Sequence, residues 1–183
     1  MSSGLSGKTI LLIISGGIAA YKSLDLIRLL QAEGAAVQGL LTDGGAQFIT
    51  SLSVTALSGR PCMTKMFAND DEKQFDHIRL SRESDLIVVA PATANMMAKM
   101  AHGMADSLAS AVLLASDKPV MVAPAMNAQM WNNPATQANV ATLSARGIRQ
   151  VGPEKGELAC GEQGAGRMSS PEAIVQSIKD FFN

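Results

Sequence analysis

The chain has 183 residues, of which 47% are hydrophobic and 17% are charged, and its formal net charge is -1. A chain of this length can bury a core without disulfides or metal ions, and its charge gives no electrostatic reason to expect a nucleic acid as a partner. Its apolar runs, such as 10–14 and 86–90, are far shorter than the roughly 20 residues of a membrane helix, and residues 1–8 lack the pattern of a signal peptide.

The first half of the chain alternates apolar runs with helical patterns. Residues 9–15 form a continuous apolar run, which is typical of a strand buried on both faces, and apolar residues recur at helical spacing from 18 to 30. Between them, Gly16 and Gly17 predict a tight turn of the kind that lets backbone N–H groups approach an anion. The turn lacks the G-x-G-x-x-G spacing of a dinucleotide fingerprint, so glycine could also serve the turn alone. A second strand is predicted over 36–42 and a second helix over 46–57.

The second half repeats this alternation. Residues 62–74 show no clean period and predict a solvated loop, and His77 follows just before a short predicted helix. Three more strands are predicted over 85–90, 120–123 and 148–151, with helices over 96–102, 106–116, 135–145 and 171–182. The alternation predicts a doubly wound, three-layer α/β fold with a mostly parallel sheet and right-handed crossovers, in a single domain.

The stretch from Gly152 to Arg167 contains five glycines, which argue against regular structure. We expect a mobile loop of the kind used as an active-site lid, and Cys160 lies within it. Cys160 could instead be a small hydrophobic residue buried in the core, but a position among five glycines does not favour burial. The only other cysteine is Cys62, so the count favours a reducing compartment, and we expect a cytoplasmic protein.

Four predicted strands end in small or polar residues, which are Gly16-Gly17, Thr42, Thr93-Ala94-Asn95 and Ala125-Met126-Asn127. The carboxyl ends of parallel strands meet at one edge of the sheet, so these residues predict a shared cleft. The pattern favours a flat, phosphate-bearing cofactor, with flavin mononucleotide (FMN) ahead of a nicotinamide dinucleotide, but it does not specify a reaction. Asn127 also suits the N-cap of a short helix, which is the commoner role of a lone asparagine at a strand end.

Three motifs of the chain resemble those of the flavin-containing cysteine decarboxylases, and within that family those of the phosphopantothenoylcysteine decarboxylases of coenzyme A biosynthesis. They occur in the same order along the chain as in the family. Pro124–Trp131 is similar to the family's substrate motif P-x-M-N-x-x-M-W, and Leu158–Met168 is similar to its substrate-covering flap with a reactive cysteine. His77-Ile78 matches the family's active-site histidine. The resemblance covers nearly the whole chain, from Ser15 onward.

The resemblance implies a Rossmann-like or flavodoxin-like single domain over 1–183, with a substrate-covering flap over 152–168. It also implies an FMN-dependent decarboxylation of 4'-phosphopantothenoylcysteine to 4'-phosphopantetheine. In this family the flavin oxidises the cysteinyl thiol to a thioaldehyde, which lets the adjacent carboxylate leave as carbon dioxide. The remaining enethiolate then receives a hydride from the reduced flavin and a proton from an acid.

The site residues carry over from the same resemblance, which implies no metal. The implied catalytic residues are His77, which assists oxidation and decarboxylation; Asn127, which holds the substrate carboxylate and amide; and Cys160, which is the acid. The implied flavin contacts are Gly16, Gly17, Ile18, Thr42, Asp43, Gly44, Phe48, Thr93, Ala94, Asn95, Met96 and Ala125. The implied substrate contacts are Asn127, Met130, Ala159 and Met168.

The implied partners are copies of the chain itself, as a trimer or dodecamer with flavin at a subunit boundary, and a separate synthetase upstream in the pathway. The 11 methionines suit such subunit contacts, although packing within one chain explains them equally well. A peptidyl-cysteine decarboxylase of the same family is the nearest alternative, and a flavin prenyltransferase would not need Cys160. A non-catalytic flavin-binding regulatory protein is a further alternative, but the presence of His77, Asn127 and Cys160 counts against it.

Overall fold

The computed structural model describes residues 4–65, 76–159 and 161–183. Five parallel strands form the central sheet: β1 (Thr9–Ile14), β2 (Ala36–Leu41), β3 (Leu86–Ala92), β4 (Val120–Pro124) and β5 (Arg149–Gln150). The helices are α1 (Lys22–Ala32), α2 (Ser51–Ser58), α3 (Asp76–Glu83), α4 (Ala94–His102), α5 (Leu108–Ala115), α6 (Ala128–Asn132), α7 (Pro134–Ala145) and α8 (Pro171–Phe182). Two short 3-10 turns, Ile18–Tyr21 and Gly45–Gln47, follow β1 and β2. None of the described helices is long and apolar enough to cross a membrane.

Helices cover both faces of the sheet, and the side chains of β1 alternate between two cores. Ile10, Leu12 and Ile14 pack into the cluster that includes residues of α1, α2 and α8. Leu11 and Ile13 pack into the opposite cluster, with residues of α3, α4, α5 and α7. A strand buried on both faces explains the unbroken apolar run in the sequence. The predicted three-layer, doubly wound fold is therefore confirmed.

The strand order β2-β1-β3-β4-β5 places the reversal of winding between β1 and β3. This order is that of flavodoxin-like sheets, in which ligands bind beyond the carboxyl ends of the strands at the reversal. The chain segments that follow β1, β2, β3 and β4 all leave the sheet at that edge. The fold thus brings the four predicted strand ends together.

The prediction of irregular structure over 152–167 is wrong. An antiparallel hairpin forms there, with strands β6 (Glu154–Glu157) and β7 (Gln163–Arg167). Its glycines permit close packing: a Cβ on Gly164 would lie 2.7 Å from the Cβ of Ala128, and one on Gly166 would collide with the carbonyl oxygen of Met126. Glycine content here therefore reflects contact with the start of α6 rather than a lack of structure.

Two further boundaries differ from the sequence predictions. His77 lies inside the first turn of α3 instead of before the helix. The last strand of the sheet is shorter than predicted, since only Arg149–Gln150 pair with β4. Most of the predicted loop over 62–74 lies outside the described residues.

Candidate functional site

A cavity of about 1040 Å³ opens at the carboxyl edge of the sheet, between the strand ends and the β6–β7 hairpin. Its volume is at the upper end of the range of about 300–1,000 Å³ that is usual for ligand and cofactor sites. Among the predicted flavin contacts, those that line it are Gly16, Gly17, Ile18, Thr42, Asp43, Gly44, Thr93, Ala94, Asn95, Met96 and Ala125. The predicted substrate contacts Asn127, Met130, Ala159 and Met168 line it as well.

Glycine backbone forms the floor of the cavity where the segments after β1 and β2 meet. A Cβ on Gly16 would lie 2.6 Å from the carbonyl carbon of Gly44, so the two segments touch backbone to backbone. A Cβ on Gly45 would lie 2.5 Å from the carbonyl oxygen of Ile14. Side chains at these positions would push the two segments apart.

Two threonines at strand ends are held by hydrogen bonds to the main chain. The Thr42 hydroxyl donates to the carbonyl oxygen of Ile14 at 3.3 Å and accepts from the N–H of Gly45 at 3.0 Å. The Thr93 hydroxyl caps α4 by accepting from the N–H of Met96 at 3.2 Å. These bonds within the chain hold the side chains of the cavity wall in place.

Asn127 lies at the end of β4 and caps α6 with its own side chain. Its Oδ1 accepts from the N–H of Met130 at 2.8 Å, and its backbone is extended, with φ -71° and ψ 165°. The side chain is exposed and lines the cavity. Since the cap uses only the oxygen, both N–H bonds of the amide stay available for an acceptor such as a carboxylate. Capping and ligand binding are therefore compatible in this residue.

The β6–β7 hairpin forms one wall of the cavity and is tied to the segment that carries Asn127. The N–H of Met126 donates to the carbonyl oxygen of Gly166 at 3.0 Å. At the base of the hairpin, Arg167 pairs with Glu154 at 3.1 Å. Ala159 and Gly161 line the cavity, and Cys160 between them lies outside the described residues.

Two of the predicted site residues do not line this cavity. Phe48 follows the second 3-10 turn, and 50% of its surface is exposed. His77 is half-buried on α3, a helix that packs against α5 and β1. Within one chain, the structure therefore separates His77 and Phe48 from the other predicted residues.

The cavity also includes polar residues that the sequence predictions missed. Ser15, Lys22, Lys99 and Ser107 all line it. Lys22 and Lys99 each lie four positions after a predicted residue, Ile18 and Asn95, so helical spacing could have identified both.

Two ionisable groups in the described ranges have shifted pKa values. The hydrogen bond from Lys99 to Asp106, at 2.7 Å, lowers the pKa of that carboxyl. Burial raises the pKa of the Cys62 thiol, which lies away from the cavity, to about 11. Among the described residues, no group of His, Cys, Asp and Glu side chains could hold a metal ion.

The family model for flavoproteins matches residues 1–183. The bifunctional coenzyme A biosynthesis protein CoaBC of Vibrio vulnificus is 50% identical over 178 residues, which are 97% of this chain and 44% of that protein. The chain thus spans less than half the length of this bifunctional relative. A probable phosphopantothenoylcysteine decarboxylase of Streptococcus mutans is 41% identical over 175 residues, which are 94% of this chain and 98% of that one.

Two solved structures share the fold over nearly the whole chain. A mutant phosphopantothenoylcysteine (PPC) decarboxylase complexed with pantothenoylaminoethenethiol has a TM-score of 0.86 and 33% identity, covering 96% of this chain and 98% of that one. The FMN-dependent cysteine decarboxylase SpaF has a TM-score of 0.85 and 26% identity, covering 97% of this chain and 98% of that one.

Proposed function

The chain belongs to the flavoprotein family, and on that premise we propose that it is an FMN-dependent decarboxylase that converts 4'-phosphopantothenoylcysteine to 4'-phosphopantetheine in coenzyme A biosynthesis. One observation carries the proposal: a single cavity brings together the strand-end residues expected to hold flavin and Asn127, which is expected to hold the substrate. The likeness to a Streptococcus relative of matching length supports the same reaction.

The cavity residues fit FMN. Its floor is glycine backbone packed too closely for any Cβ, and threonine and asparagine side chains at the ends of β2 and β3 would hold the ribityl phosphate chain. Apolar groups of Ile18, Met96 and Met126 offer a surface for a flat ring. Bound FMN would supply a two-electron acceptor and donor for the cysteinyl group of the substrate.

Asn127 holds the substrate's carboxylate through its two amide N–H bonds. The oxygen of the same amide stays on the α6 cap, so the direction of the N–H bonds is set before the substrate arrives. This orientation places the carboxyl group for loss as carbon dioxide. Met130 and Met168 line the same cavity and complete the apolar surroundings of the substrate.

The segment 152–168 acts as the flap of a single domain over 1–183. Its hairpin excludes water from the reacting group, and the Cys160 thiol donates a proton to the carbon that has lost the carboxylate. Water exclusion keeps that proton transfer between the thiol and the substrate. A reducing compartment such as the cytoplasm keeps this thiol free.

The enzyme works as a homo-oligomer, either a trimer or a dodecamer built from trimers. Ile18, Tyr21, Phe48 and Leu52 expose 58%, 55%, 50% and 74% of their surface on two segments that touch at the cavity floor. A second copy that covers this apolar surface removes it from water and brings its own His77 to the neighbouring cavity, where the imidazole assists oxidation and decarboxylation. A synthetase activity of the same pathway supplies the substrate, since the matched relatives include bifunctional proteins of coenzyme A biosynthesis.

The decisive experiment incubates purified protein with 4'-phosphopantothenoylcysteine and follows carbon dioxide and 4'-phosphopantetheine. We expect a yellow protein that contains FMN and forms both products in equal amounts. A flavin-loaded protein that leaves this substrate intact but decarboxylates a peptide ending in cysteine would instead be a peptidyl-cysteine decarboxylase. A flavin-loaded protein that acts on neither substrate would support a regulatory, non-catalytic role.

A further inference from the structure

The cavity contains a lysine that the proposed mechanism does not use. Lys22 is the first residue of α1, is half-buried, and lines the cavity beside Gly16, Gly17 and Ile18. Its Nζ donates to the carbonyl oxygen of Met168 at 3.4 Å, which is longer than the usual 2.7–3.2 Å of an N–H···O bond. An ammonium group has three donors, so most of its hydrogen-bonding capacity remains unused.

Lys22 differs from the other two cations that line the cavity, because each of those has a carboxylate partner. Lys99 pairs with Asp106 at 2.7 Å, and Arg167 pairs with Glu154 at 3.1 Å. Within the ranges that the structure describes, no ion pair involves Lys22. A half-buried cation has lost part of its hydration, and without a counter-charge that loss is not offset. Its position therefore suits an anion that enters the cavity.

The location of Lys22 indicates which anion this is. Lys22 follows β1, whereas Asn127 follows β4, and β3 lies between these two strands. At about 4.8 Å per strand, the ends of β1 and β4 are roughly 10 Å apart, which is more than one carboxylate group spans. A second anionic group at the far end of an extended ligand does fit this spacing.

We propose that Lys22 binds a phosphomonoester in the cavity and makes the site selective for phosphorylated over dephosphorylated ligands. The proposal rests on the proposed function, in which both the cofactor and the substrate carry this group. A phosphomonoester offers a doubly charged acceptor to a lysine that pairs with no described carboxylate, and charge-assisted hydrogen bonds of this kind are about twice as strong as neutral ones. When no phosphate is bound, the hydrogen bond to the Met168 carbonyl oxygen holds the Lys22 ammonium group at the cavity wall.

The test compares Lys22→Met with Lys22→Arg, which keeps the charge, and with Lys118→Met as a matched control. Lys118 lies before β4, at the opposite edge of the sheet. Flavin-free protein is titrated with FMN and with riboflavin, and FMN-loaded protein is titrated with 4'-phosphopantothenoylcysteine and with pantothenoylcysteine. Each pair of ligands differs only in the phosphate.

We expect Lys22→Met to raise the Kd of one phosphorylated ligand by about 10- to 100-fold while its dephosphorylated counterpart changes less than about twofold. A selective loss for FMN assigns Lys22 to the cofactor phosphate, and a selective loss for 4'-phosphopantothenoylcysteine assigns it to the substrate phosphate. Lys22→Arg retains most of the selectivity, and Lys118→Met behaves as wild type.

Equal losses within each pair, or no loss at all, would overturn the role of Lys22. Because the readout is a ratio of affinities, a general distortion of the cavity does not imitate the expected result. Failure of the proposed function looks different: wild-type protein then releases no carbon dioxide, while the comparison of FMN with riboflavin still tests Lys22.

Discussion

Asn127 has two roles that one pair of substitutions separates. Its Oδ1 caps α6 through the N–H of Met130 at 2.8 Å, and we propose that its amide N–H bonds hold the substrate carboxylate. Asn127→Asp keeps an oxygen for the cap but removes both donors and adds a negative charge. Asn127→Ala removes the cap and the donors together. Asn133→Ala is a matched control, because Asn133 caps α7 in the same way, at 2.9 Å, and does not line the cavity.

The expected magnitudes follow from the bonds that each variant loses. Loss of an asparagine N-cap costs about 1 kcal/mol, which lowers the Tm of a chain of this size by about 2–4 °C in Asn127→Ala and in Asn133→Ala. Asn127→Asp keeps the wild-type Tm to within about 1 °C, since aspartate caps as well as asparagine. Bonds to a charged acceptor contribute about 1.5–3 kcal/mol, so kcat/KM falls roughly 10- to 150-fold in Asn127→Ala and further in Asn127→Asp through charge repulsion.

Thermal unfolding of the FMN-loaded variants and steady-state release of carbon dioxide measure the two effects independently. We expect stability and activity to separate: Asn127→Asp is stable and inactive, whereas Asn133→Ala is less stable and active. If Asn127→Asp kept wild-type kcat/KM, Asn127 would be a helix cap and nothing more.

Three further outcomes are expected. At pH 8 a thiol reagent modifies Cys160 quickly and Cys62 slowly. Burial raises the pKa of the Cys62 thiol to about 11, so that about one Cys62 thiol in a thousand is ionised at this pH. Fast labelling that persists in Cys160→Ser would contradict this prediction. Gly166→Ala lowers kcat/KM at least about tenfold, because a Cβ there collides with the main chain before α6. The control Gly147→Ala, which also has a positive φ but open space, keeps wild-type activity. Mixed oligomers of His77→Asn and Cys160→Ser chains regain activity if each site takes its histidine from a neighbouring copy, and an inactive mixture of co-assembled chains would refute this sharing.

The sheet could be predicted from the sequence because its strands are buried on both faces. The apolar run at 9–15 gave β1 to within one residue, and the run at 85–90 gave most of β3. Two helix starts were also readable, since Asn127 and Ser170 each cap the helix that follows. The helix predicted from residue 96 begins two residues earlier, at Ala94 after its cap Thr93. Because these signals are local, no knowledge of the tertiary structure was needed to find the carboxyl edge and its cavity.

The hairpin over 154–167 could not be predicted in this way, because its glycines are required by a contact with residues that are distant in the sequence. Gly164 and Gly166 accommodate Ala128 and Met126, which lie some 40 residues earlier in the chain. In the sequence alone, such glycines are indistinguishable from those of a mobile loop. Helical spacing from Ile18 could have placed Lys22 at the cavity, but only the structure shows that no described carboxylate pairs with it.

The contact between the hairpin and the segment before α6 also connects two residues of the proposed reaction, Asn127 and Cys160. The N–H of Met126 donates to the carbonyl oxygen of Gly166, so the residue before Asn127 is bound to β7. On its other side, the Asn127 side chain is fixed to the first turn of α6. A movement that lifts the hairpin and Cys160 away from the cavity must therefore break the Met126 bond or displace the main chain of Asn127. We therefore expect opening of the proposed flap to be linked to release of a carboxylate from Asn127, so that the carboxylate is held only while water is excluded.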